Sequence, residues 1–139
     1  MIIKQLSIFI ENKPGRLAEI TGIIAKNNIN MRALSLADTS NFGILRIIVD
    51  DIEKVNGILE ENGITAKITN VISVCVEDRP GGLAEILSAL AFENIGIEYM
   101  YAFVSKQIAE KAYVVMRIEE ESKALEILKK AGYSGLDIE

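Results

Sequence analysis

The chain has 139 residues, half of them apolar and a quarter charged, with a formal net charge of −5. That length allows one domain of common size or two very small ones, and the composition is globular rather than disordered. Histidine is absent and Cys75 is the single cysteine, which excludes an internal disulfide, zinc chemistry and Ser–His or Cys–His catalysis.

The charge is uneven. Residues 1–69 carry 8 basic and 8 acidic side chains, whereas residues 70–139 carry 7 basic and 12 acidic ones. No cationic surface is available to neutralise phosphates, so no nucleic-acid partner is expected. Apolar runs such as "ILRIIV" at 44–49 are far too short to span a bilayer, so no membrane association is expected. The opening "MIIKQLSIFIENKPG" lacks a basic n-region and a sustained apolar h-region, which points to a cytoplasmic protein.

In chain order, the first element is a strand. Leu6, Ile8 and Ile10 alternate with Gln5, Ser7 and Phe9, a period of two. The phrase "ENKPGRLAEI" at 11–20 then opens a helix whose face carries Leu17, Ile20, Ile23 and Ile24. Strand-like runs follow at about 30–38 and 43–50, then a helix with Ile52, Val55, Ile58 and Leu59, closed by Gly63. A last short strand begins at Ile64.

The order then repeats. "EDRPGGLAEI" at 77–86 restates the phrase at 11–20, and residues 11–41 align with 77–107 without a gap. The second copy has a strand with Ile72, Val74 and Val76, and a helix with Leu83, Ile86, Leu87 and Leu90. Two runs at about 96–105 and 111–118 follow, with a helix on Leu125, Ile127, Leu128 and Ala131, then Gly132 and a strand from Tyr133. A three-residue register shift falls between "ADTSNFG" and "AFVSKQIAEKA", where a hairpin loop absorbs it. Each copy is therefore βαββαβ, and the fold class is α+β: two ferredoxin-like units, residues 1–69 and 70–139. A unit this small buries only about 60% of its unfolded surface, so the two are expected to pack as a pseudo-twofold pair.

The repeated phrase lies where strand one hands over to helix one. Asn12 and Asp78 are good N-cap types and Pro is tolerated in a first helical turn. Amides of Gly15, Arg16 and Leu17 at the positive helix end suit a carboxylate. The same residues equally serve a turn that merely caps the helix.

"ENKPGRLAEITGIIAKNNINM" and "EDRPGGLAEILSALAFENIGI" resemble the ACT domain, in which a strand leads through a D/N-x-P-G-x-L turn into the first helix. The likeness covers essentially the whole chain, which is similar to stand-alone tandem ACT proteins. It implies a regulatory protein of amino-acid metabolism that binds a free amino acid at the junction between ACT units, within a homodimer; with no histidine, nucleophile motif or nucleotide-binding glycine signature, no enzymatic role, cofactor or metal is expected. It also implies ligand contacts at Asn12, Lys13, Pro14, Gly15, Arg16 and Leu17, with Asn30 and Met31 just after the helix. In the second copy the matching positions are Asp78, Arg79, Pro80, Gly81, Gly82 and Leu83. Asp78 replaces Asn12 and repels a carboxylate, and Gly96 replaces Asn30, so the first turn is the better site. An alternative is a docking or regulatory subunit of an enzyme partner such as acetolactate synthase.

Other features have plainer readings. Tyr99, Tyr101 and Phe103 share one side of a strand and are expected to pack against the partner half rather than stack RNA bases. Cys75 is expected to pack, "IEEES" at 118–122 to form a solvated first turn, and Arg32 and Arg46 remain minor options for clamping a carboxylate.

Overall fold

A computed structural model describes residues 1–38 and 41–136. Its elements are β1 (Ile2–Glu11), α1 (Arg16–Lys26), β2 (Met31–Asp38), β3 (Phe42–Val49), α2 (Ile52–Glu61), β4 (Ala66–Glu77), α3 (Gly82–Phe92), β5 (Tyr99–Val104), β6 (Lys111–Arg117) and α4 (Glu121–Lys130). The chain divides into two compact units, Lys4–Thr69 and the stretch from Asn70 onward together with Met1–Ile3. The α+β class is the one the periodicities predict.

In the first unit the hydrogen-bonding order is β2-β3-β1-β4. Antiparallel register sets Leu6 opposite Ile47, Ile8 opposite Leu45 and Ile10 opposite Gly43. Because side chains alternate across a strand, Leu6, Ile8 and Ile10 share one face with Leu45, Ile47 and Val49. That face is covered by Ile20 and Ile24 of α1 and by Val55 and Leu59 of α2. Burying each of these side chains contributes roughly 1.5–3 kcal/mol.

The second unit repeats the scheme. Ile72, Val74 and Val76 on β4, with Val114 and Met116 on β6, form one core with Ile86, Leu90, Ala124 and Leu128 from α3 and α4. The hydrogen-bonding order is β4-β6-β5. On the other face of β5, the half-buried Phe103 stacks on Tyr113 with ring centroids 5.5 Å apart. Among the described residues, no helix is long and apolar enough to cross a membrane.

Several expectations shift. The short strand predicted from Ile64 and the strand carrying Ile72, Val74 and Val76 are one continuous strand, β4, because no Gly or Pro interrupts "ITAKITNVISVCV". The stretch from Tyr133 to Leu136 is not a regular strand, although Ser134 accepts a bond from the Cys75 amide at 2.7 Å and the Leu136 amide donates to the buried Ser73 Oγ at 2.8 Å. On α4 the inward residues are Ala124 and Leu128, while Ala131 is exposed beyond the helix end. The repeated Asn28 and Asn94 sit at φ 56° and 58° just past α1 and α3, a conformation Asn tolerates better than most residues.

Candidate functional site

β1 ends at Glu11, and α1 begins only at Arg16. Between them the chain turns through Gly15, at φ 86°, a left-handed conformation that favours glycine. Gly15 itself is the N-cap, and α1 has no side-chain cap bond. The expected capping role of Asn12 is therefore not realised. Three residues upstream of the helix boundary, its carboxamide instead donates to Asp38 Oδ1 at 3.3 Å. Asp78 is displaced from the cap in the same way, since Gly81 at φ 88° is the N-cap of α3.

The first turn is pinned by backbone bonds. The Asn12 amide donates to the Asn41 carbonyl at 3.2 Å, Lys13 to Glu11 at 2.8 Å and Arg16 to Lys13 at 3.2 Å. Of the three amides that the sequence points to, that of Arg16 is thus taken by the turn. The Lys13 ammonium lies 2.6 Å from the Glu11 carboxylate. That hydrogen bond and charge, helped by Arg16, hold the Glu11 carboxyl below the usual carboxylate range. Arg16 pairs with Glu19 at 2.9 Å along the helix surface.

Beside this turn lies a cavity of about 290 Å³. Asn12, Lys13 and Leu17 reach it from the turn and α1, and Ile10 and Glu11 from the end of β1. The remaining wall comes from Leu36, Asp38 and Gly43 on the β2–β3 hairpin. Register explains the gathering, because Gly43 pairs with both Ile10 and Asp38, and Leu36 pairs with Leu45. Leu17, 37% exposed, belongs to the predicted apolar face of α1, but it stands over the cavity rather than in the core. A Cβ added to Gly43 would lie 3.3 Å from Ile10, 3.4 Å from the Ala37 carbonyl oxygen and 3.5 Å from Leu36, so glycine lets these residues close up at the floor of the cavity.

Pro14, Gly15 and Arg16 shape the turn without lining the cavity. Asn30 is exposed at the opposite end of α1, and Met31 starts β2 and packs on the core. Sequence reasoning missed Ile10, Glu11, Leu36, Asp38 and Gly43. A lone Gly in the strand run "FGILRIIV" was the available signal, since glycine inside a strand marks a close approach or a gap. Arg32 pairs with Asp50 at 3.7 Å, and Arg46 lies opposite Ser7 and Ser35 on the sheet face away from Leu45. Neither reaches the cavity.

The second turn has the same backbone and different side-chain partners. The Asp78 amide donates to Glu110 at 2.8 Å, matching Asn12 and Asn41. Arg79 makes two bonds to Glu85, at 2.8 and 3.0 Å, and a third to the Pro80 carbonyl at 3.2 Å. Its guanidinium lies 3.6 Å from where a Gly81 side chain would begin. Lys111 pairs with Glu77 and lowers the Glu77 pKa, chiefly through that hydrogen bond. Gly82 is buried, and a Cβ there would fall 2.1 Å from the Glu77 carbonyl oxygen. A cavity of about 310 Å³ beside this turn takes in Gly82 and Glu85 together with Cys75, Lys111 and Tyr133. Asp78, Arg79, Pro80, Gly81 and Leu83 do not line it.

The family model described as "ACT domain pair" matches residues 1–135. A Bacteroides thetaiotaomicron protein of known crystal structure is 43% identical, with a TM-score of 0.91 over 98% of this chain and 92% of that one. The regulatory subunit of aspartate kinase from Thermus thermophilus, in ligand-free form, is 16% identical with a TM-score of 0.65, over 95% and 97% of the two chains. That from Thermus flavus is 18% identical with a TM-score of 0.63, over 94% and 95%. At these identities the Thermus likenesses speak to the fold alone. No curated protein matches the sequence.

Proposed function

Because the chain belongs to the ACT domain pair family, we propose that it is a non-catalytic regulatory protein that binds a free amino acid beside its first strand-to-helix turn. Residues 1–69 and 70–139 are its two ACT domains, and it acts as a cytoplasmic homodimer that passes occupancy to an enzyme of amino-acid metabolism. The observation that carries the reading is the cavity of about 290 Å³ that joins Asn12, Lys13 and Leu17 to the β2–β3 hairpin. Its size suits an amino acid, because pockets for larger ligands run from about 300 to 1,000 Å³. Asn12 offers a carboxamide, Lys13 a cation, and the head of α1 a positive dipole end for a carboxylate. Gly15 and Arg16 give the turn its shape. A ligand there favours whichever arrangement of the hairpin and the turn closes on it, and that differential affinity is the regulatory signal.

Titration of the intact chain with the twenty amino acids, followed by calorimetry and thermal melting, tests this. Binding at a hundredfold excess over Kd stabilises the folded state by about 2.7 kcal/mol. An unchanged melting temperature and no heat with any amino acid would end the reading.

A docking subunit for a biosynthetic enzyme is the second reading. It is favoured by β2, which ends the hydrogen-bonding order and exposes Leu34 and Leu36, and unpaired edges of this kind recruit other chains. Retention of an enzyme by the immobilised protein in the absence of any amino acid would support that reading over the sensing one.

A further inference from the structure

We infer that the ligand of the first unit is an α-amino acid with a short aliphatic side chain, of the size of valine to leucine, an assignment that rests on the proposed amino-acid site. The side chains around the cavity divide into two chemistries. Ile10, Leu17 and Leu36 make an aliphatic wall over the Gly43 floor. Glu11, Asp38 and Lys13 make a charged rim holding two carboxylates and one ammonium.

The rim sets the orientation. Lys13 is already bonded to Glu11, and among the described residues Asp38 accepts a neutral carboxamide hydrogen from Asn12, at 3.3 Å. Asp38 is therefore the acceptor for the ligand ammonium, and a charge-assisted bond of that kind is stronger than the one it makes to Asn12. The ligand carboxylate faces Lys13 and the head of α1. With carboxylates in excess on the rim, a second carboxylate on the ligand is repelled, which disfavours aspartate and glutamate.

The wall selects the side chain. A cationic side chain laid on Ile10, Leu17 and Leu36 would lose hydration without a bond in return. The slot is also narrow. A single carbon added on Gly43 would already crowd Ile10 at 3.3 Å and the Ala37 carbonyl oxygen at 3.4 Å, so the floor leaves no room for a flat ring. Each methylene buried against such a wall favours binding by about 0.8 kcal/mol, close to fourfold. Leucine, three carbons longer than alanine, should therefore bind more tightly by on the order of fiftyfold.

Calorimetric titration of the full chain with leucine, valine, alanine, phenylalanine, glutamate and lysine tests the assignment, with 4-methylpentanoate as leucine lacking its ammonium. The expected result is leucine or valine tightest, alanine about fiftyfold weaker, and no heat from glutamate or 4-methylpentanoate. Leu36 is 48% exposed, so Leu36→Ser should fold normally, and it should lower the leucine-to-alanine ratio several-fold. Asp38→Asn should weaken leucine at least tenfold. Glutamate, lysine or phenylalanine binding more tightly than leucine, or a leucine-to-alanine ratio untouched by Leu36→Ser, overturns the ligand class and leaves amino-acid sensing standing. Silence from all twenty amino acids overturns the proposed function itself.

Discussion

The two turns share a backbone and differ in who holds whom. In the first, Arg16 at the start of α1 pairs with Glu19, and Lys13 pairs back onto Glu11. In the second, Gly82 stands where Arg16 stood, so Glu85 has no cation at the matching place on its own helix. Arg79, the counterpart of Lys13, takes Glu85 instead and lies across Gly81. One substitution thus changes two things. It lets α3 start against the Glu77 carbonyl, where no side chain fits, and it redirects a guanidinium over the helix head. On the proposed reading the turn residues Asn12 and Lys13 face a ligand in the first unit, while in the second Arg79 covers the helix head and the cavity of about 310 Å³ nearby is not lined by Asp78, Arg79 or Gly81.

The largest expected effect comes from putting any side chain back at position 82. Gly82→Ala places a Cβ 2.1 Å from a backbone oxygen, and backbone does not yield as a flexible side chain does. Urea unfolding should show a loss of about 3 kcal/mol. The opposite change, Arg16→Gly, removes a half-exposed side chain and adds backbone freedom, and should cost about 1 kcal/mol or less. Equal costs would show that the two helix heads are packed alike after all.

Next in size is binding. Asn12→Ala removes a carboxamide from the cavity rim and should weaken amino-acid binding about tenfold, the worth of one good hydrogen bond. Asp78→Ala should leave it unchanged. Matching losses in a titration of the two variants would remove the asymmetry between the units.

The smallest effect is that of pH, and it should be shared. Glu11 and Glu77 both have pKa values lowered from 4.5, each chiefly by a hydrogen bond to a lysine. A carboxyl that is more acidic when folded contributes stability above its unfolded value and loses it as the pH falls through its folded one. Both pairs are largely exposed, so acid titration below pH 4.5 should show a slight loss that Lys13→Gln and Lys111→Gln each reduce, and that added salt suppresses. A large loss in either variant at neutral pH would mean that the pair is structural.

Much of the fold was legible because the core obeys simple periods. Leu6, Ile8 and Ile10 alternate, Ile20 and Ile24 lie one turn apart, and both recur 66 residues on as Ile72, Val74, Val76, Ile86 and Leu90. The helix starts were less legible. Asn12 has cap chemistry, but the left-handed Gly15 moves the helix three residues downstream, and that conformation is set by the turn as a whole. Part of the candidate site was hidden for a different reason. Leu36, Asp38 and Gly43 lie far from Asn12 in sequence and meet it through strand register, which period alone does not supply. Leu17 was legible at the helix start and among the ligand contacts, but the apolar period wrongly gave its side chain to the core face rather than to the cavity.

On the proposed function, the first turn binds an amino acid and the second does not. Amide chemical shifts of the isotope-labelled chain, followed during titration with leucine, test it most directly. Saturable shifts are expected at Gly15, Leu17 and Gly43, ending at one ligand per chain, with Gly81 and Leu83 still. Shifts centred on Gly81 and Leu83, or two ligands per chain, would contradict it.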